Sequence, residues 1–202
     1  SDVATSVPGG RPAFWAMLCR RRMEDHGTTE EHLAKIAVKA HANSVHNPYA
    51  RFRKPFSFEQ VIESPMVCFP LRLYEICPVS DGAAAAMICS ANFAKKKTTK
   101  PVWVASSTVA TARFDDGITR HLAAVSPSGA TLHSEAKLAV ETAFERAGLG
   151  PRDMSLVELQ DNTVYYELAF PEEWGFCAPG EAERLVEKGE TPYSLNFFCT
   201  CG

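Results

Sequence analysis

The fold class this sequence predicts is α/β, with helices layered on a sheet. Two observations carry it. Apolar residues recur at helical spacing in several long stretches, and between these lie short β-rich or small-residue runs bounded by turn residues, so helix and strand patterns alternate along the chain. The second is the run CPVSDGAAAAMICS at 77–90, where a polar turn leads into four alanines. Side chains that small let a neighbouring backbone approach closely, which predicts a buried, tightly packed element.

In chain order, residues 1–12 read as a loop, and a helix over 13–26 follows from Phe14, Met17, Leu18 and Met23. The Thr28-Thr29-Glu30-Glu31 sequence caps a second helix that carries Leu33, Ile36, Ala37, Ala40 and His41 on related faces. Residues 43–56, with two prolines and little periodicity, predict an exposed excursion, and 57–62 a short helix. Strands are expected at 71–77, 83–89, 102–111 and 156–159, and helices at 91–97, 133–147 and 164–174. Gly148 is placed to end the helix before it. Both termini read as internal to a longer sequence, since a loop opens the chain and an apolar run stopping on Gly202 closes it.

Composition excludes several classes of function. At 202 residues, 46% hydrophobic and 22% charged, the chain can bury a core. A net charge of -3 and a pI near 6.1 give no general attraction to nucleic acid or an acidic membrane surface, and the lysine and arginine clusters at 20–22, 51–54 and 95–100 read as solvated faces. No apolar run reaches the roughly 18 residues of a membrane span. Seven cysteines without regular spacing fit a reduced, cytoplasmic setting rather than a disulfide framework. No metal site is expected: Cys199 and Cys201 lack a second pair, and His41 and His46 lack partners.

Ligands of α/β layers gather where strands end, because free backbone groups line a crevice there. Two polar strand ends qualify, residues 77–82 and 160–163. An ordered series of short motifs then carries a resemblance: HANSVHNPY at 41–49, FEQV at 58–61 with Ser64, CPVSDGAAAA at 77–86, AGL at 147–149, VEL at 157–159 and EKGETPY at 187–193. In order and spacing, across nearly the whole chain, they resemble the lipid-transfer-protein (sterol carrier protein type) branch of the thiolase superfamily.

That resemblance implies a layered αβαβα fold, incomplete in this chain. Residues 1–66 would be part of the loop (lid) domain, 67–99 the last strand and helix of the N-terminal half, and 100–202 the first part of the C-terminal half. Cys77, Pro78 and Ser80 would border an acyl-CoA tunnel, with Ala83 to Ala86 in the core. The family's nucleophilic cysteine would precede Ser1, and its glycine-histidine-proline motif and last catalytic cysteine would follow Gly202. The 202 residues alone are therefore expected not to release acetyl-CoA from a 3-ketoacyl-CoA.

Where the family has a histidine followed by aspartate, this chain has Gln160 and Asp161, the catalytic-loop positions. An amide can donate a hydrogen bond to a thioester oxygen but cannot transfer a proton near neutral pH. Asp161 reads either as a catalytic-loop carboxylate or as a helix cap, and Tyr165 and Tyr166 as packing residues or, with Tyr193, as candidates for a phenol relay. The implied function is thiolase-type acyl transfer, or related carbon–carbon cleavage, on a lipid or sterol CoA ester. Alternatives are retro-aldol cleavage of sterol side-chain CoA esters beside an OB-fold subunit, a non-catalytic acyl-CoA or lipid binder, and a structural subunit completed by another chain. No resident cofactor is expected, coenzyme A arriving as part of the substrate, and the implied assembly is a homodimer or a complex with a partner chain.

Overall fold

The computed structural model describes residues 10–111 and 135–189. Helix α1, Gly10–His26, begins earlier than its periodicity suggests and buries Trp15, Ala16, Cys19 and Arg22 on one face. Gly27 ends it in the left-handed region (φ 70°), its N–H returning to Met23 O at 3.2 Å. Helix α2, Glu30–Ser44, is capped by Thr29 as expected, but the reciprocal partner is His32. Its N–H donates to Thr29 Oγ1 at 3.3 Å, and Thr29 N–H donates to His32 Nδ1 at 3.0 Å. With Nδ1 accepting, the ring proton lies on Nε2, which donates to Glu187 Oε1 at 3.1 Å.

Residues 45–57 form the expected excursion, exposed or half-buried except at Ala50 and Phe56, with its return fixed by Ser44 Oγ on Phe52 O at 2.6 Å. Helix α3, Phe58–Ile62, follows with a capping box between Ser57 and Gln60. Strands β1, Met66–Cys68, and β2, Leu71–Arg72, pair antiparallel in the register Met66↔Arg72 and Cys68↔Leu71, turning through a cis Phe69–Pro70 peptide.

The strand expected over 71–77 stops at Arg72. Glu75 Oε2 accepts Arg72 N–H at 2.7 Å and folds Leu73–Glu75 into a 3-10 turn, a side-chain bond that replaces a ladder bond. Ile76 then forms one isolated antiparallel bridge with Thr163.

Residues 83–89, expected as a buried strand, form no regular secondary structure and lie exposed, with Met87 100% and Ile88 86% accessible. The strands expected at 102–111 and 156–159 are also absent. The physical reason is common to all three. Small or β-branched residues permit a strand, but a strand exists only against a hydrogen-bonded neighbour, and none of the described residues supplies one. The expected helices do form: α4, Ala91–Lys97, capped by Ser90; α5, Glu135–Ala147, ended by Gly148 (φ 66°); and α6, Tyr165–Glu173. Helix α7, Ala182–Glu187, completes the set. Thr108 Oγ1 donates to Ala139 O at 2.8 Å and ties 102–111 to α5. The expected first residues of the 133–147 helix, the motif residues 190–193 and the cysteines at 199 and 201 lie outside the described residues.

One apolar cluster draws on both ends of the sequence: Trp15 and Cys19 of α1, Leu33 and Ile36 of α2, Leu71, and Leu168 of α6. Beside it, Arg22 is 7% exposed and its guanidinium forks between two carboxylates. Nε and Nη2 donate to Glu183 at 2.6 and 2.9 Å, and Nη1 and Nη2 to Glu172 at 3.1 and 2.6 Å. Arg22→Ala leaves two buried carboxylates without their cation and is expected to destabilise the protein by about 3–5 kcal/mol in urea unfolding. A loss below about 1 kcal/mol would show that the cluster is not structural.

Candidate functional site

The two polar loops singled out by the sequence meet. Cys77 N–H donates to Asn162 O at 3.0 Å, and Val164 N–H donates to Glu75 O at 3.1 Å, on either side of the Ile76–Thr163 bridge. Helix α2 forms the opposite wall. Between them lies a cavity of about 30 Å³, room for about two water molecules, lined by His41, Glu75, Cys77, Pro78, Asp161 and Glu167 among others.

The structure thus brings Cys77, Pro78 and Asp161 into one lining. Gln160 and Ser80 are exposed and stand outside it. Ala83 to Ala86 are exposed as well.

His41 sits in an aromatic nest, its ring edge-on to Phe52, Phe56 and Tyr74 with centroids 5.8, 4.7 and 5.9 Å away. Its Nε2 donates to Tyr74 O at 3.1 Å, which holds the turn 73–75 against α2. Burial pushes its pKa below the ordinary 6.5, against the opposing pull of that carbonyl. The imidazole is therefore neutral at physiological pH.

Two buried carboxyls share the cavity. Glu75 is 2% exposed, and burial raises its pKa to about 7, opposed by the Arg72 amide and charge. Glu167 is also raised by burial, against an ion pair with Lys39. Three of these groups, His41, Glu75 and Glu167, were not candidates from sequence. The accessible signal for Glu75 was a lone carboxylate inside the apolar run LRLYEIC.

Thiol chemistry has little support among the cysteines whose environment is defined. Burial holds the Cys19 thiol far above its ordinary range and raises that of Cys177 to about 11, so both stay protonated at neutral pH. Likewise, burial holds the Tyr165 phenol above its ordinary range. Among the described residues no group of three His, Cys, Asp or Glu side chains is placed to hold a metal ion, and no helix is long and apolar enough to cross a membrane.

The chain is similar to several known proteins. Residues 118–194 match the thiolase C-terminal domain-like family. The chain is 38% identical over 180 residues to an acetyl-CoA acetyltransferase of Methanothermobacter thermautotrophicus, covering 89% of this chain and 45% of that one. It is 34% identical to sterol carrier protein 2 of Bos taurus, covering 90% and 33%, and 32% identical to the benzoylsuccinyl-CoA thiolase subunit BbsB of Thauera aromatica, covering 96% and 48%. A solved structure, the Ltp2-ChsH2(DUF35) aldolase, superposes with a TM-score of 0.73 at 25% identity, over 93% of this chain and 48% of that one. The chain spans from a third to about half the length of these relatives.

Fold and matches together define an α/β protein of thiolase-like fold. In sequence and fold the chain is a relative of the thiolases, similar both to acetyl-CoA acetyltransferases and to sterol carrier protein 2.

The neutral His41 generates a direct check. Its folded pKa lies below the unfolded value, so its contribution to stability is present above about pH 6.5 and is lost as the pH falls through the lowered value. In an NMR titration its ring is expected to protonate below pH 6.5. His41→Phe keeps the ring contacts but leaves Tyr74 O without its donor, for an expected cost of about 1–2 kcal/mol above that pH and less below it.

Proposed function

We propose that this chain forms part of an acyl-CoA-handling protein of the thiolase type, with the thioester end of the ligand lying at the junction of the 77–78 turn and the loop at 161–164. The observation that carries the reading is that junction itself. Two loops far apart in sequence are hydrogen-bonded at 3.0 Å around a cavity that Cys77, Pro78 and Asp161 share. The relatives' names support the ligand class, an acetyl-CoA acetyltransferase and a CoA-ester thiolase among them.

In this reading Cys77 and Pro78 border the ligand, Ser80 lies further out along the same turn, and Asp161 is the carboxylate nearest the reacting end. Gln160 contributes a hydrogen-bond donor rather than a proton. Coenzyme A comes and goes with the substrate, and no resident cofactor is required. A cytoplasmic location belongs to the same proposal.

A second reading has a specific observation behind it. The superposed solved structure is named as an aldolase with a DUF35 chain, and this sequence carries Gln160 where the thiolase pattern has histidine. Carbon–carbon cleavage of a sterol-type CoA ester beside an OB-fold partner, with Tyr165 or Tyr166 as the phenol, is the alternative to acyl transfer. A ligand-binding protein without turnover is the remaining form of the proposal.

The assembly follows from exposed surface. Val79, Met87, Ile88, Val102 and Val109 are all at least 86% accessible, on segments without regular secondary structure either side of α4. Such a surface stays out of water when further polypeptide covers it. A homodimer, or a partner chain that supplies sheet neighbours, is proposed.

Two measurements follow. In saturating acetyl-CoA, iodoacetamide labelling of Cys77 is expected to slow by about tenfold while that of exposed Cys89 stays unchanged. Unchanged labelling of Cys77 sinks the ligand placement. Light scattering is expected to give a mass above that of one chain, and a monomer at about 100 μM would remove the homodimer.

A further inference from the structure

A carboxyl group sits where the two loops join, and its two oxygens are unequally served. Glu75 Oε2 accepts the Arg72 amide at 2.7 Å, whereas Oε1 is buried and has no hydrogen-bond partner among the described residues. The complementary donor Arg72 Nε, on the same turn, is buried and unpartnered too. Its other nitrogens are engaged elsewhere, Nη1 on Ser64 O at 3.2 Å and Nη2 on Glu30 Oε2 at 3.0 Å. Meanwhile the main chain of Glu75 is the joint itself, since its carbonyl receives Val164 N–H and the residue two further on donates to Asn162 O.

We propose that Glu75 is a positioning residue of the pocket: its side chain fixes the turn carrying Cys77 and Pro78 against the loop carrying Asp161, and loss of its proton loosens that contact. The proposal concerns regulation of the site read above as an acyl-CoA site, and its relevance to catalysis rests on that reading. The contact and its proton dependence do not.

A neutral carboxyl in an apolar wall is served well by one amide donor. An ionised carboxylate is best served by donors at both oxygens, and among the described residues Oε1 meets none. Burial therefore lifts the proton affinity of Glu75 to about pH 7, with the Arg72 amide and charge opposing and Glu30 adding to the rise. The described titratable and charged groups near it come from the turn, α1, α2, the facing loop and α6. Arg72 lies on the turn itself, and Cys19 of α1 feels its charge while remaining protonated. Helix α2 presents Glu30 at its start and His41 in the cavity, the latter kept neutral by burial. Asp161 comes from the facing loop, and Glu167 of α6 is engaged by Lys39. Among the described residues none of these except Arg72 donates a hydrogen bond to Glu75.

The sign follows directly. The folded-state pKa is raised, so stabilisation of the joint is fully present at low pH and is lost as the pH rises through about 7. Glu167 is also raised by burial, so the variant and not the profile alone identifies the group.

Amide exchange by NMR, without CoA ligand, tests this independently of any acyl-CoA function. After correction for intrinsic base catalysis, protection of the Cys77 and Val164 amides is expected to fall about threefold or more between about pH 6 and about pH 8, with Ala37 in α2 unchanged. Glu75→Gln is expected to flatten the step. A flat wild-type profile, or a step that persists in Glu75→Gln, overturns the proposal. If the glutamine variant does not fold, Glu75→Asp decides instead: a displaced step supports the assignment and an unmoved one overturns it. Failure of acetyl-CoA to protect Cys77 leaves this outcome untouched, which separates the two readings.

Discussion

The guanidinium of Arg22 is the constraint from which the described architecture follows. It lies on α1, yet both carboxylates it holds come from the far end of the chain, Glu172 and Glu183. Few arrangements satisfy such a group in a buried position, because a planar fork with fixed donor directions must find acceptors in its own plane. Here Thr28 Oγ1 adds a bond to Glu183 Oε1 at 2.5 Å, and Ala182 N–H one to Glu172 Oε1 at 3.1 Å. Burial alone would raise the Glu183 carboxyl, but the bonds from Arg22 and Thr28 outweigh it and hold that carboxyl below its ordinary range. A buried ion cluster contributes little net stability against a well-packed apolar alternative. What it supplies here is a register between segments that sequence separation would otherwise leave unrelated.

Once α1 is tied to α6 and α7, the position of α2 is restricted, and with it the pocket. Two further polar links fall on the same seam, Lys39 to Glu167 and His32 to Glu187. Both connect α2 to the C-terminal helices, so the wall carrying His41 stands at a fixed distance from the loop carrying Asp161. Arg72 to Glu30 does the same for the turn on the other side. The helical part of the molecule is thereby closed by charge and apolar packing together. Residues 79–111 are mostly exposed, and Thr108 links them to α5. The contrast is one of partners, since the extended stretch is no less apolar than the helices.

This contrast also explains what was legible in the sequence. Helices α1, α2, α3, α4, α5 and α6 could be read because periodicity, caps and terminal glycines act within a few residues. The strands at 83–89 and 102–111 were misplaced because pairing is a property of two segments, and alanine or valine content says nothing about the second. At 71–77 a local competitor won, the Glu75 side chain taking the Arg72 amide. The site was legible to the same depth. Loop ends gave Cys77, Pro78 and Asp161, while Gln160 and Ser80, in those same loops, lie exposed outside the pocket lining. His41, Glu75 and Glu167 owe their chemistry to burial by distant segments, which no window of sequence contains.

The proton inventory of the pocket bears on the kind of chemistry it suits. His41 is neutral, and its Nε2 hydrogen is committed to Tyr74 O. Gln160 lies exposed outside the lining, and Glu167 is bound to Lys39. Burial raises the pKa of Glu75, another lining carboxyl, to about 7, so it takes up and releases a proton near physiological pH. Burial thus brings the titration of this carboxyl close to ambient pH. A carboxyl in that place also couples proton movement to the joint between the loops, because the same residue holds both.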